Sequence, residues 1–296
     1  MILAAADIPI VKILLPVILA FIMFTLGLGL RGADFSRIFK FPKAFGVGLL
    51  NQLVVLPLVA FGICKLFKLP PVLALGTMIL AFSPGGVTTN VLARIAGGNT
   101  ALSMSMTAVT SLLTIFTVPL LVTLSATHFL GNAAPDFQIG KLGVTMFLLT
   151  ALPVSIGMLL TKLAPRAVEK SAPVLSKIGI GLFVFIIVAA LAKNWQVVWD
   201  NLPTLGPALI LLNIVLLAVG LLSARLLSLE HRDATTIAIE SGVQNGTLGI
   251  AVGVILAGSS TTGVTLPLET VPCAVYGITM YLITVPFVIW RKKRAA

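Results

Sequence analysis

Apolar runs of membrane-spanning length follow one another through this chain, and they leave it few folds to choose from. A helix crosses the hydrocarbon core of a bilayer in roughly 20 apolar residues. We read nine such runs, near residues 9–30, 44–66, 71–95, 101–128, 140–163, 172–192, 204–224, 234–257 and 267–290. The breaks between them are Arg31–Lys43, Lys65–Pro70, Ala96–Thr100, a 129–139 loop with Gly131 and Pro135, Lys162–Ser171, Lys193–Pro203, Arg225–Asp233 and Gly258–Leu266. Lipid offers backbone amides no water, so the runs must be helical. Only 10% of the 296 residues are charged and 58% are hydrophobic, against about 25% charged in a soluble domain. The sequence predicts one all-α integral membrane domain over residues 1–296 with nine transmembrane helices.

The net charge of +11 does not point to nucleic acid. The basic residues stand singly between apolar runs, with no basic face and no interleaved aromatics. They report orientation instead. One set of breaks and span ends holds Arg31, Arg37, Lys40, Lys43, Arg94, Lys162, Arg166, Lys170, Lys177, Arg225, Arg232, Arg291, Lys292, Lys293 and Arg294. The other holds only Lys12, Lys65, Lys68, Lys141 and Lys193. Basic residues stay on the cytoplasmic side, which predicts a multi-pass cell-membrane protein with its N-terminus outside and its C-terminus in the cytoplasm. Cys64 and Cys273 fall inside apolar runs, without disulfide or metal spacing. The start, Met1 to Ala6, lacks the basic stretch and cleavage site of a signal peptide, so the first run is expected to remain as a helix.

Two spans are chemically odd. The third contains Ser83-Pro84-Gly85-Gly86-Val87-Thr88-Thr89-Asn90, and the eighth contains Glu240-Ser241-Gly242-Val243-Gln244-Asn245-Gly246. Pro84 removes a backbone donor, and Gly85 and Gly86 permit non-helical angles. A helix break in lipid survives only where it faces protein or a wet cavity. Paired interrupted spans in the two halves of a chain point to a transporter site.

Glu240 is the sharpest signal. The other eight acidic residues, Asp7, Asp34, Asp136, Glu169, Asp200, Glu230, Asp233 and Glu269, lie in breaks or near span ends. Glu240 sits about two turns into the eighth span, roughly 10 Å deep at 1.5 Å per residue. A charge there costs several kcal/mol unless it is paired or solvated, and no Lys or Arg lies deep enough in a span to pair with it. A bound cation, a proton or water must compensate it.

At these residues the chain resembles the bile acid:sodium symporter family. The matching stretches are Ser83-Pro84-Gly85-Gly86 through Asn90-Val91, Gly98-Asn99 through Leu102-Ser103 and Thr107, and Glu240-Ser241-Gly242-Val243-Gln244-Asn245, with Gln52 and Pro57 and the start Ile22-Met23-Phe24-Thr25-Leu26-Gly27. The resemblance implies inverted repeats in which the third and eighth spans are discontinuous and cross. It implies a core domain, spans of about 44–128 and 204–290, and a moving panel, spans of about 9–30 and 140–192. It implies two sodium sites. One would use Thr89, Asn90, Ser103, Thr107 and Glu240; the other would use Gln52, Glu240, Gln244 and the carbonyls of Ser241 and Val243. Hard cations take such oxygen ligands. Thr88 and Asn245 are the candidates to touch substrate, with Val87 at a position that is polar in some relatives, and Thr279 and Tyr281 as further candidates on the ninth span.

The function so implied is sodium-coupled symport of an organic anion, a bile acid or a small carboxylate such as pantoate or a keto acid, by alternating access. Sodium is the coupling ion, no cofactor is expected, and the partners are substrate, sodium and the lipid bilayer. Other classes remain as alternatives. A proton-coupled transporter of similar fold would titrate Glu240. An intramembrane enzyme could use Ser103 or Ser241 as nucleophile, but His128 and His231 are misplaced to serve as its base. A passive channel would need rings of charged residues that the sequence lacks.

Overall fold

Each described apolar run is helical. The computed structural model describes residues 10–133, 139–193, 195–257 and 267–295. The start Met1–Ala6, Asp7, Pro135, Asp136 and the expected break at 258–266 lie outside the described residues. The helices are α1 (Ile10–Gly29), α2 (Gly32–Ser36), α3 (Pro42–Leu50), α4 (Leu56–Leu66), α5 (Pro71–Ala81), α6 (Val87–Ile95), α7 (Thr100–Leu130), α8 (Ile139–Met146), α9 (Leu152–Leu163), α10 (Pro165–Lys193), α11 (Trp195–Leu226), α12 (His231–Gly242), α13 (Gly246–Ala257) and α14 (Val271–Ala295). Among the described residues, five stretches are long and apolar enough to cross a membrane: Pro42–Leu66, Thr100–Leu130, Ile139–Leu163, Val198–Leu226 and Leu268–Arg294. Large side chains such as Phe116, Leu58 and Leu124 are mostly exposed on them, an apolar surface that lipid covers and water would not tolerate.

Two helices widen at one turn. α3 runs into α4 through a π-helical turn at Asn51–Val55, and α8 into α9 through another at Phe147–Ala151. Each turn ends at a Leu-Pro pair, Leu56-Pro57 and Leu152-Pro153. Proline has no N–H for the carbonyl four residues back, and its ring crowds that carbonyl. A local π turn absorbs both effects. The first turn carries Gln52, so the proline sets where that amide points.

The expected break at Lys193–Pro203 is largely helical, since α11 begins at Trp195. Hydropathy marks the depth of lipid, not the end of a helix. Trp195 and Trp199 stack at 5.8 Å one turn apart, and Gln196 Nε2 donates to Asp200 Oδ1 at 3.0 Å. These i, i+4 pairs carry the helix beyond its apolar part. For the same reason α10 begins at Pro165, inside the expected break at Lys162–Ser171.

Small residues set the helix contacts. α1 packs on α9 and α10. A Cβ on Gly27 would lie 2.2 Å from the Val154 carbonyl, and one on Gly157 would lie 2.4 Å from the Phe24 carbonyl. Between α11 and α12, a Cβ on Gly220 would meet the Ala238 Cα at 2.7 Å. Close backbone approach of this kind holds helices together where lipid supplies no hydrophobic drive between them. The Gly98-Asn99 turn before α7 is tied to the start of α12: Asn99 N–H donates to the Arg232 carbonyl, and Asn99 Nδ2 donates to Asp233 Oδ1 at 2.8 Å.

Arg291 differs from the solvated end of a helix that its sequence context suggests. It is fully buried, and its Nε and Nη2 donate to Thr235 Oγ1 and the His231 carbonyl. The guanidinium therefore clamps the end of α14 onto the first turn of α12.

Candidate functional site

The two breaks meet. α5 ends at Ala81 and α6 begins at Val87; α12 ends at Gly242 and α13 begins at Gly246. Between these ends Pro84 and Gln244 form an antiparallel bridge, and Asn245 N–H donates to the Ser83 carbonyl at 2.9 Å. Each interruption thus supplies hydrogen bonds that the other lacks, as buried backbone requires. A Cβ on Gly85 would lie 2.7 Å from the Val243 carbonyl and 2.3 Å from Thr89 Cγ2, so only glycine fits there.

The loose ends are capped by side chains. The Gly242 carbonyl accepts from Asn213 Nδ2 at 2.6 Å and from the Tyr276 hydroxyl at 2.7 Å. Asn245 Oδ1 accepts from Leu248 N–H at 3.0 Å and starts α13, the usual work of an N-cap asparagine. Thr89 Oγ1 donates back to the Gly86 carbonyl at 2.7 Å.

Behind the crossing lies a cluster of oxygens. Ser103 Oγ is 2.5 Å from Glu240 Oε1 and 2.7 Å from Asn90 Oδ1. Thr107 Oγ1 is 3.4 Å from the same Asn90 oxygen, and the Thr89 side chain lies against the carboxylate. Thr89, Ser103 and Thr107 are fully buried, and Glu240 is 4% exposed. Few protons serve these oxygens. Ser103 has one for two acceptors, Thr107 offers Asn90 Oδ1 only a long hydrogen bond, and Thr89 directs its own to the Gly86 carbonyl. An ionised carboxylate accepts only, so lone pairs of Glu240 and Asn90 remain for a cation. Hydroxyls, an amide oxygen and one carboxylate form the donor set of a hard cation rather than of a soft transition metal.

The second expected group is arranged differently. Gln52 Nε2 donates to Gln244 Oε1 at 3.1 Å, and Gln244 Nε2 donates to the Ser241 carbonyl at 2.9 Å. The Val243 carbonyl faces Gly85. Gln244 Oε1 and the Ser241 carbonyl thus each accept from a protein amide. Ser241 Oγ, buried on the same helix end, has no hydrogen-bond partner among the described residues.

In front of the crossing is a small cavity. Val87, Thr88, Gln244 and Asn245 line it from the broken helices, together with Gly86 and Thr247. Opposite them stand Ile22, Met23, Thr25 and Leu26 of α1 and Ser176, Gly179 and Ile180 of α10. The structure does not bring Thr279 or Tyr281 to this lining. Thr279 Oγ1 donates to the Val275 carbonyl of its own helix, and the Tyr281 hydroxyl meets Thr88 from the side.

Sequence reasoning missed Asn213, Tyr276, Thr25 and Ser176. Asn213 carried a signal, a lone amide within Leu211-Leu212-Asn213-Ile214. Tyr276, like Thr25 and Ser176, has no local mark in the sequence that separates it from packing.

A helical membrane protein whose two interrupted helices meet over a buried carboxylate has the form of a secondary transporter. The comparisons agree. The sodium bile acid symporter family model matches residues 16–201, and the chain belongs to that family. It is 31% identical over 265 residues to the uncharacterized sodium-dependent transporter YocS of Bacillus subtilis, covering 88% of this chain and 78% of YocS. It is 31% identical over 272 residues to the probable sodium/metabolite cotransporter BASS1 of Arabidopsis thaliana, covering 92% of this chain and 65% of that protein. It is 28% identical over 234 residues to the human ileal sodium/bile acid cotransporter, covering 78% of this chain and 66% of the relative. The family and these relatives are transporters, not enzymes.

Proposed function

We propose that this chain is a symporter that couples sodium to the uptake of an organic anion by alternating access. The observation that carries the reading is the buried oxygen cluster around Glu240, where the single Ser103 proton serves both Asn90 Oδ1 and Glu240 Oε1. A sodium ion among Thr89, Asn90, Ser103, Thr107 and Glu240 would take up the remaining lone pairs and neutralise the buried charge. A second ion would enter where Gln52, Glu240, Gln244 and the Ser241 and Val243 carbonyls stand, and would have to displace the Gln52–Gln244 and Gln244–Ser241 hydrogen bonds. Carriage of a proton by Glu240 alone would leave the amide and hydroxyl oxygens beside it without a task.

The anion would sit in the cavity before the crossing. No Lys or Arg is among the described residues that line it. The negative charge is then received by the N-terminal ends of α6 and α13, which present backbone donors and the positive ends of their dipoles. Thr88 and Asn245 would hold the polar head, with Thr25 and Ser176 opposite. Ile22, Met23, Leu26, Val87 and Ile180 would face an apolar body. A bile acid or a small carboxylate such as pantoate or a keto acid meets this description. Sodium fixes the crossing, so substrate binds better with sodium present, and the coupling is reciprocal.

With nine spans and the basic excess on the cytoplasmic side, the N-terminus would lie outside the cell membrane and the C-terminus in the cytoplasm. α1, α9 and α10 pack together, which supports a panel of the first, fifth and sixth spans that rocks against a core made by the others. Uptake into proteoliposomes tests the reading. A radiolabelled carboxylate should accumulate under an inward sodium gradient and not under a potassium gradient. Accumulation driven equally by a proton gradient without sodium would overturn it.

A further inference from the structure

Among the described residues Arg291 has no acidic partner. Its guanidinium is fully buried, hydrogen-bonded to the Thr235 hydroxyl and the His231 carbonyl and 5.4 Å from the centre of the Trp290 ring, and Nη1 has no hydrogen-bond partner among them. Its surroundings add positive charge. Arg225 and Arg294 stand within electrostatic reach of it, and all three arginines act on His231. The acidic residues beside this group in the sequence do not compensate it: Glu230 is exposed at the start of α12, and Asp233 is held by the Asn99 amide. A buried charge without a counter-ion is costly, and a cluster of like charges raises that cost.

The cluster lies at the water-facing end of a membrane helix. The apolar part of α14 ends in Trp290-Arg291-Lys292-Lys293-Arg294, and the Arg294 guanidinium lies 4.7 Å from the centre of the Trp290 ring. Tryptophan beside basic residues marks the level of lipid headgroups. Arg225 and Arg294 are exposed, and Leu222, one turn before Arg225 on the same face of α11, is exposed as well. A cationic rim above an apolar face fits a molecule with an anionic head and an acyl body.

We propose that Arg225, Arg294 and the underlying Arg291 form a binding site for the phosphate of an anionic phospholipid. The phosphate oxygens accept from the exposed guanidinium groups of Arg225 and Arg294, and an acyl chain lies along Leu222. The bound phosphate supplies the negative charge that Arg291 lacks. It thereby fastens the end of α14 and the first turn of α12, the helix that carries Glu240, to the headgroup layer. The site stands apart from the crossing and does not depend on which solute the protein carries.

The test is thermal unfolding of the purified protein in detergent with added phosphatidylglycerol, phosphatidylcholine or inorganic phosphate. Native mass spectrometry counts retained phosphatidylglycerol in parallel. Phosphatidylglycerol should raise Tm above phosphatidylcholine by about 3 °C or more, a shift that corresponds to moderate binding for a chain of this size. The R225Q/R294Q double variant should lose this rise and the retained lipid. The K162Q/K170Q variant, which loses the same charge elsewhere, should keep both. Equal effects of the two lipids would overturn the proposal, as would loss of the effect in both double variants. An equal rise with inorganic phosphate alone would replace the lipid by a soluble anion and also overturn it. If R225Q/R294Q does not fold, R225Q and R294Q are read singly by the same lipid count, and retention at the wild-type level in both counts against the site.

Discussion

Pro84 and Gln244 pair through an antiparallel backbone bridge, with Asn245 N–H on the Ser83 carbonyl beside it. Two helices far apart in the sequence thus repair each other's interruptions. The repair brings Asn90 on one and Glu240 on the other to a common partner, Ser103 on α7.

Ser103→Ala removes that partner. A hydrogen bond to a charged group is worth about 1.5–3 kcal/mol, so apparent sodium affinity should fall by roughly 10- to 100-fold. Titration of Tm against sodium concentration reads the change. Unaltered affinity would remove Ser103 from the ion site.

The glycines of the break separate folding from transport. Gly85→Ala places a Cβ 2.7 Å from the Val243 carbonyl, an overlap that should cost about 1–3 kcal/mol and disrupt the crossing. Gly86→Ala meets only Asn245 Nδ2, at 3.6 Å. It should fold normally and lose transport by narrowing the cavity. Detergent melting curves and uptake of the two variants compare them, and equal stability would contradict the geometry.

Asn213 holds the Gly242 carbonyl at 2.6 Å and also donates to the Tyr276 hydroxyl at 3.0 Å. Either change leaves the Gly242 carbonyl one donor, but Asn213→Ala also empties the buried space of the side chain, so it should destabilise more than Tyr276→Phe, by about 1–3 kcal/mol against about 1 kcal/mol. Thermal unfolding decides, and the reverse order would count against this role.

His231 stands at the headgroup end of α12, outside the span. Partial desolvation of this exposed ring, and then the charges of Arg291, Arg225 and Arg294, hold its imidazole below the ordinary value. The unfolded chain therefore takes up this proton first as pH falls through about 6.5, and stability falls with it until the folded protein also protonates. Tm should drop between pH 7 and pH 5, and less so in His231→Gln. Parallel curves for the two proteins would contradict the assignment.

Much of this was legible in the sequence, for physical reasons. Helices are forced wherever lipid excludes water, so the runs marked them. Pro84-Gly85-Gly86 marked one interruption and the polar run after Glu240 marked the other. What the sequence hid were effects of one residue on distant ones. The π turn that aims Gln52 follows from Pro57, but its shape needs the whole helix. Arg291 looks like part of a solvated basic tail until α12 closes over it. Thr25 and Ser176 are ordinary polar residues in the chain and line a cavity only because α1 and α10 pack against the crossing. Trp195 lies in a break by hydropathy and in a helix by local pairing.

Thermal unfolding in sodium against potassium reads whether Glu240 and its oxygen neighbours hold sodium. At sodium concentrations well above Kd, binding to the folded state alone adds roughly 2–3 kcal/mol. Tm should be higher in sodium than in potassium at equal ionic strength, with no difference in Glu240→Gln. Equal Tm in the two salts, or a sodium effect that survives in Glu240→Gln, would contradict it.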